Sequence, residues 1–239
     1  MPLREIAERN NLLHAKSDPQ TILRHALEDV RLGDTAVVSS FGAESVVMLH
    51  MLSEIDTSAP VIFLDTEMLF PETLNYQREV AETLGLTGIR VITPDRNAVL
   101  THDVDGILHQ ADTDACCDLR KTQPLAKALD GFGSWVTGRK RYHGGVRANL
   151  PLFEKDGDRI KINPLANWDA KEISGYMTDK NLPRHPLVAQ GYPSIGCWPC
   201  THRTGVGEDP RAGRWKDSDK EECGIHFENG RLQRTGTTT

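Results

Sequence analysis

Short runs rich in Val and Ile alternate with helical patterns along the first part of the chain, and this alternation limits the possible folds. The runs that favour strands are Thr35 to Ser39, Pro60 to Leu64, Ile89 to Thr93 and Ser134 to Thr137. The intervening helical patterns run from about Glu44 to Ile55 and from Pro71 to Leu84, and a proline suits a first helical turn. Strands that alternate with helices predict an α/β fold, in which a parallel sheet is flanked by helices.

The composition changes towards the end of the chain. Trp168 to Lys180 predicts a further helix, and loops rich in proline and glycine follow Pro183. The stretch from residue 201 to residue 239 has few apolar residues and cannot form a core of its own. We therefore predict an α/β domain over residues 1–200, followed by a mobile, loop-rich flap over residues 201–239.

Charge and hydropathy narrow the class of protein. The formal net charge is -6, whereas a protein that coats nucleic acid needs a basic surface. Charges interrupt the first residues, and no apolar run is long enough to span a bilayer. We expect a cytoplasmic protein with neither a nucleic-acid nor a membrane partner, although local arginine clusters can still bind small anions.

Five cysteines occur at informative spacings: an adjacent pair, Cys116 and Cys117, a C-x-x-C pair, Cys197 and Cys200, and a lone Cys223. Cytoplasmic thiols stay mostly reduced, so grouped cysteines favour a metal or redox site over disulfides. Four cysteines bind zinc or an iron-sulfur cluster. Neighbouring side chains on a helix diverge by roughly 100°, so an adjacent pair reaches the separate irons of a cubane more easily than one zinc ion. Buried thiols without a metal are the alternative.

Cys223 lies in the sequence Glu-Cys-Gly-Ile-His within the polar flap. A thiolate is a strong nucleophile, and nearby cations lower the pKa of a cysteine while carboxylates raise it. An idle thiol on such a segment would be an oxidation hazard with little packing value. These features favour a reactive cysteine over a bystander.

Polar turns follow the first two predicted strands. Ser39 to Ser45 joins a strand to a helix, and such a turn aims N–H groups and a helix dipole at an anion such as phosphate or sulfate. Leu64-Asp65-Thr66-Glu67 ends the second strand, at the sheet edge where α/β proteins bind ligands. Together the two turns favour a nucleotide site over ordinary connections.

A basic loop over residues 138–147 follows the fourth predicted strand. Its cations repel one another unless an anion lies among them, so its place at the same sheet edge favours phosphate binding over a solvated loop. If Cys116 to Lys121 is helical, Arg120 and Lys121 each lie one turn from a cysteine, and either cation could couple a bound anion to a cluster. Pro124 is expected to end that helix and begin another over Leu125 to Leu129.

Seven motifs, spread over roughly Val37 to Phe227, resemble those of assimilatory adenylyl-sulfate (APS) reductases, relatives of the phosphoadenylyl-sulfate (PAPS) reductases. The motifs are Ser-Ser-Phe-Gly-Ala-Glu-Ser, Leu-Asp-Thr with Phe70-Pro71-Glu72-Thr73, Cys-Cys-Asp-Leu-Arg-Lys, the Thr137-Gly138 arginine loop, Ile195-Gly196-Cys-Trp-Pro-Cys-Thr, Gly213-Arg214-Trp215 and Glu-Cys-Gly-Ile-His. One departure occurs in the arginine loop, where relatives commonly carry Gln-Ser and this chain has His143-Gly144.

The resemblance implies an adenine nucleotide alpha hydrolase-like, Rossmann-like fold and a [4Fe-4S] cluster on Cys116, Cys117, Cys197 and Cys200. It implies that Cys223 attacks the sulfur of APS, that AMP leaves, and that thioredoxin or glutaredoxin resolves the S-sulfocysteine and releases sulfite. It also implies a homo-oligomer. The residues that it places at the nucleotide are Ser39, Ser40, Phe41, Gly42, Leu64, Asp65, Gly138, Arg141 and Arg147. Those that it places near the sulfate are Lys121, Arg211, Arg214 and His226.

The two-electron reduction of sulfate agrees with this implication, because thiol-disulfide exchange delivers electrons in pairs and a single cluster passes one at a time. Three alternatives stay open. PAPS could be the substrate, or the chain could be a nucleotide-binding iron-sulfur sensor without catalysis, which would leave Cys223 without a task. An ATP-using sulfur or adenylyl transferase would share the fold but would need a triphosphate site with Mg²⁺.

Overall fold

A computed structural model describes residues 1–205 and 207–216, and within them the strands form one six-stranded sheet. The strands are β1 (Thr35–Val38), β2 (Val61–Leu64), β3 (Ile89–Ile92), β4 (Ser134–Thr137), β5 (Phe153–Asp156) and β6 (Arg159–Ile162). Their order across the sheet is β3-β2-β1-β4-β6-β5, and every neighbouring pair is parallel except β5 and β6. The predicted parallel sheet and its first four strands are confirmed.

The helices lie on both faces of this sheet. They are α1 (Leu3–Leu13), α2 (Pro19–Glu28), α3 (Ser45–Ser53), α4 (Pro71–Thr83), α5 (Arg96–His102), α6 (Leu108–Ala111), α7 (Thr113–Cys117), α8 (Gln123–Ala128) and α9 (Ala170–Asp179). Val37 belongs to the larger core with α2, α3 and α9, and its neighbour Ala36 belongs to a smaller core with Leu125 of α8. The two cores follow from the alternation of side chains along a strand.

Local signals set several helix starts. The Asp18 carboxylate accepts a hydrogen bond from the Thr21 N–H and caps α2, whose first residue is Pro19. Asp169 and Glu172 form a reciprocal capping box at the start of α9, two residues inside the predicted helix. Within the described residues, no helix is long and apolar enough to cross a membrane.

The hairpin of β5 and β6 is absent from the sequence predictions, because three of the four residues of β5 and two of the four residues of β6 are charged. Lys161 explains how β6 can nevertheless be buried. Its Nζ atom lies 4.7 Å from the centre of the Trp135 ring and 3.4 Å from the Asp156 carboxylate, so a cation is accommodated inside the sheet. The methylene groups of a lysine can be buried like an apolar side chain, although a search for alternating apolar residues counts lysine as polar.

Gly88, just before β3, should tolerate no side chain. A Cβ atom there would lie 2.2 Å from the Ala59 carbonyl oxygen, and the Gly88 carbonyl accepts the hydrogen bond from the Val61 N–H. We expect Gly88→Ala to lower the free energy of unfolding by about 1–3 kcal/mol in chemical denaturation, because the backbone must move. Gly175→Ala in α9 is the matched control: its Cβ meets nothing within 4 Å, and it should stabilise by up to about 1 kcal/mol. Equal stability of the two variants would contradict the prediction.

Candidate active site

A cleft of about 240 Å³ opens at the carboxyl ends of β1, β2 and β4. Parallel strands bring their carboxyl ends to one edge, where the first residues after each strand can meet. Among the residues predicted from sequence, those that line the cleft are Ser39, Ser40, Gly42, Leu64, Lys121, Gly138, Arg147, Cys197, Arg211 and Arg214. The sheet edge therefore collects residues from distant parts of the chain around one space.

The serine turn after β1 is fixed by its own hydroxyl groups. The Phe41 N–H donates to Ser39 Oγ over 3.2 Å, and the Gly42 N–H donates to Ser45 Oγ over 3.0 Å. Phe41 has a φ of 47°, a left-handed conformation that is costly for a bulky residue. Complete burial of its ring, edge-to-face with Phe63 at 5.1 Å, holds that conformation. Phe41 thus anchors the turn in the core, and it is not among the residues that line the cleft.

Glu44, the residue before α3, joins the serine turn to the basic loop. Lys140 Nζ donates to Glu44 Oε2 over 2.8 Å, the Tyr142 hydroxyl donates to Oε1, and His143 Nε2 lies 3.3 Å from Oε2. Burial opposes ionisation of this carboxyl, but the hydrogen bonds from His143, Lys140 and Tyr142 and the charge of Lys140 prevail and lower its pKa. Burial lowers the pKa of Lys140 as well, and Glu44 opposes that shift. The two elements are thus joined by a buried ionic contact.

The basic loop divides into residues at the cleft and a residue directed elsewhere. Arg139 lines the cleft and pairs with Glu154 of β5, and Lys140 and His143 line it beside Glu44. Arg141 is not among the lining residues: its Nε atom donates to the Leu150 carbonyl over 2.7 Å. A role for Arg141 in nucleotide binding stays a prediction.

A second, smaller cavity is lined by all four described cysteines: Cys116, Cys117, Cys197 and Cys200. They are thiols rather than disulfides. Burial, followed by the neighbouring Cys197, raises the pKa of Cys116 to about 11, so this thiol is protonated at neutral pH unless a cation is bound. Cys197 Sγ lies 3.1 Å from Thr66 Oγ1, and its backbone bridges to Leu69.

The cysteine cavity fits a four-thiolate ligand set in its donor chemistry, since its walls supply four sulfur atoms from two parts of the chain. In residues 1–205 and 207–216, no group of three or more His, Cys, Asp or Glu side chains is arranged to hold a metal ion. An iron-sulfur cluster on these four cysteines stays a prediction.

The helix that carries Cys116 and Cys117 continues through a π-helical turn over Asp118–Thr122 into α8. The break expected at Pro124 is absent, although the second helix is present and holds this proline in its first turn. The π turn ends directly before this proline, where the Gln123 N–H donates to the Asp118 carbonyl in an i→i+5 hydrogen bond.

The two candidate cations, Arg120 and Lys121, both lie in the π turn but have different surroundings. Arg120 is buried: its guanidinium pairs with the Asp103 carboxylate at 2.8 Å and donates to the Thr66 carbonyl over 2.9 Å. Both cations line the cysteine cavity, but only Lys121 also lines the cleft, as does Cys197. The structure thus distinguishes two cations that helical spacing left equivalent.

The segment after residue 200 contributes to the cleft. Arg211 and Arg214 line it, and Trp215 is buried with Arg214 stacked 4.4 Å from its ring centre. Gly196 permits this arrangement, because a Cβ there would lie 2.3 Å from the Arg214 guanidinium. The domain boundary at residue 200 stays a prediction.

Besides Phe41 and Arg141, three predicted substrate-binding or catalytic residues lie away from the cleft lining or outside the described part of the chain. Asp65 is not among the lining residues, and its carboxylate accepts from the Glu67 N–H over 2.9 Å. Cys223 and His226 lie outside the described residues. Sequence reasoning missed Glu44 as a site residue, although its place beside the serine turn and opposite a basic loop was a usable signal.

The family model for the phosphoadenosine phosphosulfate reductase domain matches residues 34–203, which include the cleft strands and all four described cysteines. The chain belongs to this reductase family. Curated relatives of this reductase include the adenosine 5'-phosphosulfate reductase of Mesorhizobium japonicum, 49% identical over 90% of this chain and 85% of that protein. The protein of the same name from Streptomyces coelicolor is 38% identical over 94% of each chain.

Relatives of the reductase with the other substrate in their names also match. The phosphoadenosine 5'-phosphosulfate reductase of Gloeobacter violaceus is 36% identical over 87% of this chain and 88% of that protein. The crystal structure of the PAPS reductase from Candida auris has a TM-score of 0.72 at 29% identity and covers 84% of this chain and 98% of that one. This structural likeness agrees with the adenine nucleotide alpha hydrolase-like fold expected from sequence.

The buried contact between Glu44 and Lys140 should be strongly coupled in stability. We expect Glu44→Gln to cost about 3 kcal/mol, at the lower end for a buried pair, because the Glu44 side chain keeps 29% exposure. Lys140→Met should suppress much of that cost, since it removes the stranded charge. Glu8→Gln is the control: Glu8 pairs with Arg4 at the exposed surface, and its loss should change stability by less than about 0.5 kcal/mol. Additive effects of Glu44→Gln and Lys140→Met in urea unfolding would refute the coupling.

Proposed function

We propose that this reductase converts adenosine 5'-phosphosulfate to sulfite and AMP through a covalent intermediate on Cys223, with thioredoxin or glutaredoxin as the reductant. The observation that carries the proposal is that Lys121 and Cys197 line both the cleft and the four-cysteine cavity. An anion in the cleft would therefore lie beside the cysteines. The naming of the Mesorhizobium and Streptomyces relatives supports APS as the substrate.

The cleft suits a nucleotide that carries a sulfate. One wall is a polar turn that contains Ser39, Ser40 and Gly42. Arg147, in the basic loop, also lines the cleft. Lys121, Arg211 and Arg214 bring three positive charges to the cleft, which would stabilise charge on the sulfate as it is transferred. In this proposal the first group holds the nucleotide and the second holds the sulfate.

The chemistry balances with one thiol and one dithiol. The Cys223 thiolate attacks the sulfur of APS, an S–S bond forms, and the S–O bond to the phosphate breaks so that AMP leaves with its electron pair. A thiolate of the reductant then attacks the Cys223 sulfur, and sulfite leaves with the electron pair of the S–S bond. The second thiol of the reductant resolves the mixed disulfide, so that two electrons pass from dithiol to sulfur. A reduced dithiol agrees with the expected cytoplasmic location.

Cys116, Cys117, Cys197 and Cys200 would hold a [4Fe-4S] cluster in this proposal. When bound, the cluster would organise and polarise the site rather than supply electrons. The cation between the two cavities is Lys121, whose charge is then shared between substrate and cluster ligands. A homo-oligomer, implied by the family resemblance, also stays a prediction.

The reaction itself is the direct test. Wild-type protein with APS and reduced thioredoxin should release sulfite and AMP in equal amounts. Cys223→Ser should bind AMP as wild type does but release no sulfite, because the nucleophile is gone. With APS and no reductant, mass spectrometry should find one added sulfonate on Cys223 of the wild-type protein. An adduct on another residue, or turnover by Cys223→Ser, would overturn the assignment.

Metal analysis tests the cluster separately. After anaerobic purification we expect about four irons and four sulfides per chain, with a brown colour from charge-transfer absorption. Replacement of any one of the four ligand cysteines by Ser should lose both the iron and the activity. Cys223→Ser is the matched control and should retain the iron. Stoichiometric zinc without sulfide would contradict the prediction.

APS and PAPS differ by a charged 3′-phosphate, so the substrate preference can be tested by comparing kcat/KM for the two nucleotides. A 3′-phosphate adds about two negative charges, but Arg139 and Lys140 already pair with Glu154 and Glu44. A charge-assisted contact is worth roughly 1.5–3 kcal/mol, so we expect kcat/KM for APS to exceed that for PAPS by at least about tenfold. Glu154→Gln should narrow the preference by removing the partner of Arg139. Equal preference in the wild type, at matched ionic strength, would contradict the prediction, and reversed preference would favour PAPS, the substrate in the Gloeobacter protein's name.

A further inference from the structure

His143 connects a carboxylate and a guanidinium at the wall of the cleft. Its Nε2 atom lies 3.3 Å from Glu44 Oε2, and its Nδ1 atom lies 3.0 Å from Arg147 Nη1. The imidazole side chain keeps only 15% exposure, so water does not replace these partners freely. The residue occupies the position at which the arginine loop departs from the family pattern.

The chemistry of the two partners determines the protonation state of the ring. A guanidinium has only donors, so Nδ1 must accept the hydrogen bond from Arg147 and can carry no proton. Nε2 then carries the single ring proton and donates it to Glu44, which accepts as a carboxylate. The geometry thus requires a neutral imidazole in one defined tautomer.

The surrounding charges favour the same state. Burial lowers the pKa of His143; the Glu44 hydrogen bond opposes this shift, and the charges of Lys140 and Arg147 add to it. Tyr142, whose ring centre lies 4.4 Å from that of His143, directs its hydroxyl to Glu44 and brings no charge of its own. Because the folded pKa is lowered, the ring becomes charged only below its ordinary range near pH 6.5.

We infer that neutral His143 is a positioning residue, which holds the Arg147 guanidinium at the cleft and releases it when Nδ1 is protonated. Protonation would set an N–H donor against the donors of Arg147 and place a second positive charge beside it. The accepted hydrogen bond would be replaced by repulsion. Nucleotide affinity should therefore fall as the pH falls. The link from Arg147 to affinity rests on the proposed function, whereas the tautomer does not.

A glutamine at this position separates hydrogen bonding from titration. The amide oxygen of His143→Gln can accept from Arg147 and its NH₂ group can donate to Glu44, but the side chain does not titrate. His143→Phe keeps a ring and removes both hydrogen bonds. His50→Gln is the matched control, since His50 is a partly buried histidine that is hydrogen-bonded to Tyr176 and is not among the residues that line the cleft.

The affinity test measures AMP binding by calorimetry between pH 5 and pH 8 for all four proteins. The phosphate of AMP titrates near pH 6, so each value is compared with that of His143→Gln at the same pH. Wild type and His143→Gln should bind alike at pH 8, and wild type should become about tenfold weaker at pH 5, the loss of one charged contact. His143→Phe should be weaker throughout, and His50→Gln should follow wild type. Parallel profiles for wild type and His143→Gln would overturn the inference.

The tautomer is tested without any nucleotide. Nitrogen NMR of protein labelled at histidine should show the His143 signal, assigned by its loss in His143→Gln, as a neutral ring protonated at Nε2 at pH 7.5. A ring protonated at Nδ1, or a charged ring at that pH, would refute the inference. If no protein binds AMP at pH 8, the proposed function fails, and the NMR result still decides the state of His143.

Discussion

The cleft depends on the contacts of the half-buried Glu44 carboxylate. It lies immediately before α3, and its partners Lys140, Tyr142 and His143 belong to the loop after β4. The sheet brings these two strand ends together because β1 and β4 are neighbours. The serine turn and the basic loop therefore hold each other in place. The cations of the basic loop can lie close together because the Glu44 carboxylate is already among them.

The same arrangement explains which positive charges are available to a ligand. Arg139 and Lys140 have carboxylate partners, and Arg120 is buried against Asp103. The sequence treats all these cations alike, as members of basic runs. In the folded protein, Arg139 and Lys140 line the cleft but have their charges paired with carboxylates, and Arg120 is not among the lining residues. The pairing therefore determines how each cation can contribute to ligand binding.

The sequence predicted those strands and helices whose apolar residues recur at the spacing of a buried face. The first four strands and the helix after Pro71 follow from apolar spacing, and the cysteine grouping follows from redox chemistry. It failed where tertiary contacts override local character. Lys161 lies inside the sheet because Trp135 and Asp156 accept it, and Arg141 turns to the Leu150 carbonyl although its neighbours in the same loop face the cleft. No local pattern distinguishes Arg141 from Arg147; only the path of the folded loop does.

The π-helical turn over Asp118–Thr122 acts as one extra residue within an otherwise regular helix. Each residue advances an α-helix by roughly 100°, so this insertion sets the angle between the cysteine pair and everything after it. A deletion of one residue before Lys121 would restore ordinary helical geometry, yet it would turn Lys121 and α8 away from the direction that Cys116 and Cys117 face. The position of Lys121 relative to the cysteine pair thus depends on the length of this segment as well as on its residues, and tolerance to point substitution would not imply tolerance to a change in length.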